Sequence, residues 1–337
     1  MESRMRRGFT ILELLVVIGV IGILMALLLP AVLYSRESAR RIECTSRMAQ
    51  LGKAIHSFES SFQTLPPCGL GPNGDSSAHV YLLPWLEQAQ IFQKLSPSLG
   101  LELSGRSFDF QRSGSGSKNL RFVSIPVFRC PSDSGQGLNN YAYCVGSSVT
   151  WRRTESSRGT NVLGAFAQFN PPNRLSNITD GLSSTAAASE RLTGSGAIDS
   201  FDGARDTYFS GLELLIGEDA YDADTLANVC QNAVPVSGEF TAFDNATWAF
   251  PTYEGAWYNH VFGPNSGVPN CSTMDSRSPS VSATMTSRGI FPARSLHSGS
   301  VNLLLLDGSV RTVSNAVDLS IWRGVGTCQD GSVVGEF

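Results

Sequence analysis

The chain has 337 residues, a net charge of −4, a charged fraction of 16% and 33 glycines. A charged fraction below the usual value of roughly 25% marks a loop-rich folded protein rather than a disordered or coiled-coil one. The length is enough for a sizeable core, and the absence of a long basic run excludes a nucleic-acid partner, since phosphate binding needs a concentrated basic face.

The first eight residues are short and basic, with Arg4, Arg6 and Arg7 before Gly8. From Phe9 to Leu29 nearly every residue is apolar, and Glu13 carries the one charge. At 1.5 Å per residue such a helix spans roughly 30 Å, the hydrocarbon thickness of a bilayer. A secretory signal has a shorter apolar core ending at a small-residue cleavage site. Here the run passes directly into a charged helical pattern, so the segment is expected to stay as an anchor. A carboxylate near the centre of a spanning helix costs about 2.5–3.5 kcal/mol, so Glu13 calls for a functional reason.

The run Arg6-Arg7-Gly8-Phe9-Thr10-Ile11-Leu12-Glu13 resembles the leader junction of type IV prepilins and pseudopilins. The resemblance implies that prepilin peptidase cuts after Gly8 and methylates the new N-terminus at Phe9. It implies assembly with other pilin-like subunits through the N-terminal helix, within inner-membrane lipid. The charged Phe9 amine and the Glu13 carboxylate of a neighbour would then offset each other's desolvation. Pro30 resembles the helix-kinking proline of the same proteins. A cytoplasmic N-terminus and a periplasmic or extracellular C-terminal domain follow from the resemblance alone. The arginines do not decide orientation, because Arg36, Arg40, Arg41 and Arg47 balance those before the span.

Beyond the apolar run, Cys44, Met48, Leu51, Ile55, Phe58 and Phe62 recur at steps of three and four. That spacing makes one helical stripe, with Arg47, Lys53 and Glu59 away from it. Pro66-Pro67 ends the helix. The expected organisation is a leader at 1–8, a spanning segment at 9–33, an amphipathic continuation at 34–65 and a globular domain at 66–337. The fold class is α+β and pilin-like, with the long helix packed on an antiparallel sheet and long irregular insertions.

In the body, Val80–Gln88 opens a helical stretch reaching Leu95, and the Gly-Ser run at 113–117 is a surface loop. Cys130-Pro131-Ser132-Asp133 leads into Tyr141-Ala142-Tyr143. Asp180-Gly181 marks a turn before a strand at Ala186–Glu190. Residues 193–290 read as an irregular insertion with short strands. Val301–Leu306 is an apolar strand interrupted by Asn302. Asp307-Gly308 signals a two-residue hairpin turn, with the return strand alternating to Val313, so the hairpin covers 300–314. A short helix follows at 317–322.

Nine residues separate His297 from Asp307-Gly308, an H-x9-DG spacing. Together with Cys130-Pro131-Ser132-Asp133, the Thr179–Thr185 segment and Trp257-Tyr258-Asn259-His260, it resembles a large bacterial family of unknown function. Members of that family join a prepilin-like N-terminus to such an ectodomain. Read from residues alone, His297, Asp307 and Gly308 are architectural: a histidine entering a strand and an Asp-Gly turn are explained by hydrogen bonding and left-handed backbone. His79 and His260 have no second ligand at metal-binding spacing, and no metal site is expected from them. Glu218, Asp219, Asp222 and Asp224 supply one calcium hypothesis, weakened by a spacing unlike an EF-hand and weaker than a solvated acidic loop.

Seven cysteines occur without a CxxC pair. Outside the cytoplasm disulfides form, and Cys130 with Cys144, which flank a turn-rich stretch, is the first candidate; Cys230 with Cys271 is the second. No nucleophile elbow, phosphate loop or metalloprotease helix is present, so no enzyme is expected. The leading function is a membrane-anchored structural subunit of a type IV pilus or type II secretion pseudopilus. The alternative is a tethered binding module for a solute, polysaccharide or surface partner.

Overall fold

Helix α1 runs from Ile11 to Phe62 without a break, with Pro30 in its interior. The computed structural model describes residues 11–68, 76–95, 119–149, 163–167, 173–210, 223–236, 239–250, 252–273, 289–329, 331, 335 and 337. Gly8, Phe9, the Gly-Ser run at 113–117 and the acids Glu218, Asp219 and Asp222 lie outside them. Among the described residues α1 is the one helix long and apolar enough to cross a membrane, and none of its most apolar stretch is buried. The pattern changes at Cys44. From there Cys44, Met48, Leu51, Ile55 and Phe58 are all buried, as the three-and-four spacing predicts. Phe62 packs at the margin of the same cluster.

That stripe lies on a five-stranded sheet of order β5-β1-β2-β8-β9. Its strands are β1 (Tyr141–Cys144), β2 (Ala186–Glu190), β5 (Trp257–Tyr258), β8 (Ser300–Leu305) and β9 (Val310–Ser314). All pairings are antiparallel except the edge pairing of β1 with β5. Side chains alternate across a strand, so β8 is buried on both faces. Leu304 and Leu306 join the α1 cluster. Val301, Leu303 and Leu305 pack beneath the sheet on Trp322 and Val325 of the helix Leu319–Val325. Asp318 caps that helix by accepting from the Ser320 and Ile321 amides.

The described part of the region 193–290 carries the short strands expected of it. It contributes β5 and a second sheet of order β4-β3-β6-β7, formed by Phe240–Thr241, Thr207–Phe209, Asn270–Ser272 and Gly289–Ile290. The helix Ala223–Asn232 covers this sheet and is bonded to it through Cys230–Cys271. Its short strands are poor in apolar alternation, which hides them from a pattern search. The stretch 80–95 is likewise divided: Pro84 opens a tight turn at Leu83–Leu86 between the helices Ala78–Leu82 and Ala89–Leu95.

The β8–β9 hairpin forms, but not with a two-residue turn. The Gly308 amide donates to the Leu305 carbonyl at 3.0 Å, the Leu305 amide to the Ser309 carbonyl at 2.9 Å, and Gly308 takes φ +85°. This is a three-residue connection with glycine in the left-handed position. The Asp307 carboxylate accepts from the Ser309 amide at 2.8 Å. The Thr179–Thr185 segment grips the turn from the side, with its Leu182 and Thr185 carbonyls accepting from Asp307 and Leu306. Opposite, α1 comes so close that a Cβ on Gly52 would meet Leu304 Cδ1 at 2.9 Å.

Candidate functional site

The site sits where α1 leaves the sheet and enters its bare half. Glu37 and Cys44 are seven residues apart, two turns along one face of α1. Cys130 follows a tight turn at Pro126–Phe128. Its amide donates to Asn140 Oδ1 at 3.0 Å, and Arg47 on α1 holds the same loop through the Pro126 and Arg129 carbonyls at 2.6 and 2.7 Å. This pre-positions Cys130 for its disulfide with Cys44, with a Cα–Cα distance of 5.0 Å.

Cys130 is therefore not bonded to Cys144. Consecutive strand residues point to opposite faces. Tyr143 faces the α1 cluster, so Cys144 faces the opposite side among Val301 and Trp322, with the sheet between it and Cys130. Cys144 remains a buried thiol donating to the Gly326 carbonyl at 3.4 Å, and burial pushes it up to about 12.

Beside the Cys44–Cys130 bond lies His297, 3% exposed. Its Nδ1 is 2.9 Å from Glu37 Oε1, and its Nε2 is 3.3 Å from Glu190 Oε1 and 3.7 Å from Cys130 Sγ. Glu190, at the end of β2, is fixed from behind: Asn302 donates its amide to Oε2 at 2.9 Å and its Nδ2 to Oε1 at 3.1 Å. This is why a polar residue interrupts the apolar β8. Ser132 also donates to Glu37 Oε1, at 3.3 Å.

A carboxylate only accepts, so both ring nitrogens must donate and the ring is an imidazolium. Burial pulls its pKa down, but hydrogen bonds and charge from Glu190 and Glu37 outweigh that and hold it above 6.5. A group raised on folding stabilises fully below its unfolded pKa and loses that contribution as pH rises through the folded one. Stability should accordingly fall from about pH 6.5 upward. In His297→Ala, the unfolding free energy from urea titrations across pH should lose this alkaline slope and drop by roughly 1–3 kcal/mol. An unchanged slope would contradict the imidazolium bridge.

Asp307 and Gly308 are not part of this cluster. They sit at the other end of β8, where a Cβ on Gly308 would lie 3.2 Å from His56 of α1. His56 is nineteen residues along α1 from Glu37, about 28 Å. The H-x9-DG spacing thus spans one strand, and its two ends register β8 against α1 at separate heights. Asp133 is a buried hub, described below. His260 donates or accepts at both nitrogens, with Trp322 O at 2.6 Å and Tyr258 OH at 2.9 Å, and stacks on Trp322; burial lowers it to about 3. His79 packs between Phe128 and Tyr143 with neither ring nitrogen hydrogen-bonded, and burial lowers it to about 3. Asp224 stands in the first turn of the helix Ala223–Asn232, and the other three acids of the calcium hypothesis lie outside the described residues.

Sequence reasoning had named Cys130 and His297 but missed Glu37, Cys44 and Glu190 as their partners. Cys44 was legible only as an apolar stripe member. The polar Asn302 inside an apolar strand was the one signal pointing to a buried carboxylate nearby.

The comparisons agree with this architecture at both ends. The prokaryotic N-terminal methylation motif matches residues 3–29, and the family described as protein of unknown function (DUF1559) matches residues 34–320. No curated protein and no solved structure matches the chain. With a bare apolar helix leading into an α+β ectodomain that the second model covers almost whole, the chain is a pilin-like member of the DUF1559 family, carrying the N-terminal methylation motif of prepilins.

Proposed function

We propose that the protein is a structural, non-enzymatic subunit of a type IV pilus or type II secretion pseudopilus-type assembly. The supporting observation is that one unbroken helix is bare over its apolar half and buried over its amphipathic half. A buried half fastens the ectodomain; a bare apolar half needs lipid before assembly and neighbouring helices after it. In this reading prepilin peptidase cuts after Gly8 and methylates Phe9 on the cytoplasmic side. The 66–337 domain then lies outside the cytoplasm, and Glu13 pairs with the Phe9 amine of an adjacent subunit. The two disulfides fit an oxidising compartment.

Mass spectrometry of the native protein should find a methylated phenylalanine 9 as its first residue. Glu13→Ala should abolish assembly, because an uncompensated amine left in an apolar filament core costs roughly 3–5 kcal/mol per contact. The ectodomain should keep its circular dichroism. Filaments forming normally in the variant, or an intact Met1, would favour a tethered module instead.

A further inference from the structure

We infer that the Cys44–Cys130 pocket is a redox-gated binding site for a thiophilic divalent cation, zinc by preference, with Cys44, Cys130, His297 and Glu190 as ligands. The four donor atoms already lie within 4.8 Å of one another, and all four residues are buried. The two donor–donor distances that meet at His297 match edges of a coordination tetrahedron. Ligand bonds of about 2.0–2.1 Å to N and O and about 2.3 Å to S give edges of about 3.3 Å between N and O and about 3.6 Å between N and S. His297 Nε2 stands 3.3 Å from Glu190 Oε1 and 3.7 Å from Cys130 Sγ. The Cys44–Cys130 bond occupies both sulfur donors, so its reduction has to precede entry of the cation.

The surrounding groups complete the case. A zinc-bound histidine characteristically donates its other ring nitrogen to a carboxylate, and a ligating carboxylate is itself hydrogen-bonded. Here His297 Nδ1 meets Glu37 at 2.9 Å, and Asn302 holds both oxygens of Glu190. A purely structural disulfide requires neither arrangement. Two thiolates and an imidazole select a soft or borderline cation over calcium or magnesium.

The exchange balances. A dithiol reductant passes two electrons and two protons to the Cys44–Cys130 bond and becomes a disulfide itself. The cation then displaces both thiol protons and the imidazolium proton, so three protons leave for solvent. With Glu37 counted in both states, the cluster passes from one negative charge, where His297 is cationic between Glu37 and Glu190, to two, because three protons leave as the dication enters. Reduction followed by metal capture thus exchanges one cross-link between α1 and the sheet for another.

The test uses the full chain in detergent, reduced in denaturant and refolded without oxidant, with or without Co2+ as a spectroscopic probe. The expected result is native circular dichroism with cobalt, one cobalt per chain, and thiolate-to-cobalt charge transfer with tetrahedral d–d bands. Zinc should displace the cobalt. The signal should vanish in Cys44→Ser and in His297→Ala, and persist in Cys230→Ser/Cys271→Ser. Glu37→Gln should weaken affinity about 10–100-fold. Failure of the reduced wild type to fold with metal would overturn the inference, as would fewer than one cobalt per folded reduced chain. Binding that survives His297→Ala would overturn it too, and so would equal binding by the oxidised protein.

Discussion

Replacing Cys44 with alanine is expected to lower the stability of the oxidised ectodomain by between about 2 and 5 kcal/mol. The bond it removes joins residues 86 apart in the chain, and a closed loop of that size restricts the unfolded ensemble by about 4–5 kcal/mol in the chain-entropy account. The native state loses as well, since Cys44 is fully buried at the head of the α1 stripe. Cys230–Cys271 closes a loop of 41, and halving loop length changes the entropic effect by only about 0.6 kcal/mol. The two variants should therefore have similar urea midpoints. They should differ in where they open. Cys44→Ala frees the top of α1 from the sheet, so limited proteolysis should cut first around 36–44, whereas Cys230→Ala should leave α1 protected. A Cys44→Ala midpoint equal to wild type under non-reducing conditions would show that packing of Met48, Leu51, Ile55 and Phe58 alone seats the helix.

Asp133→Ala should be of comparable severity, at roughly 3–5 kcal/mol, the cost of breaking a buried ion pair by removing one partner. Asp133 is 5% exposed and accepts from the Gly135 amide, Asn140 Nδ2, the Thr193 amide and hydroxyl, and the Arg205 guanidinium. It ties the Cys130 loop to the chain leaving β2, which in turn places Glu190. Burial alone would raise its pKa, but the Thr193 and Gly135 amides and Arg205 outweigh that and hold it below 3.8. A carboxylate depressed on folding contributes stability above its unfolded pKa and loses it as pH falls through the folded one. Wild type should lose stability on acidification below about pH 4, and the variant should lose less over the same interval. Parallel acid limbs in the two proteins would refute this assignment.

Chain regions whose structure depends on neighbours in sequence were readable in advance. The apolar run, the stripe from Cys44 to Phe58 and the alternating return strand ending near Val313 are local periodicities, and each becomes the expected element. The cluster around His297 was not readable. Its contact with Glu37 joins residues 260 apart, and Asn302 reaches Glu190 across 112. Nothing in local composition encodes either distance. Proximity in sequence even misled: Cys130 and Cys144 flank one turn, yet strand alternation sends Cys144 through to the opposite face. The short strands expected in 193–290 could not be placed residue by residue for another reason, since they are held by a disulfide and by pairing with distant partners more than by their own apolar pattern.

The order of residues by itself determined a membrane-length helix with one acid in it, a peptidase-type junction before it, an amphipathic continuation and a closing hairpin. The junction rests on its resemblance to prepilin leaders; the others follow from spacing along a few turns or a few pleats, where one residue constrains the next. Tertiary structure alone decided which cysteines bond, why Asn302 interrupts its strand, and that His297 belongs with Glu37 and Glu190 rather than with Asp307. Those outcomes depend on the side of the sheet each side chain meets once α1 lies across it, and burial then makes any unmatched charge too costly to keep.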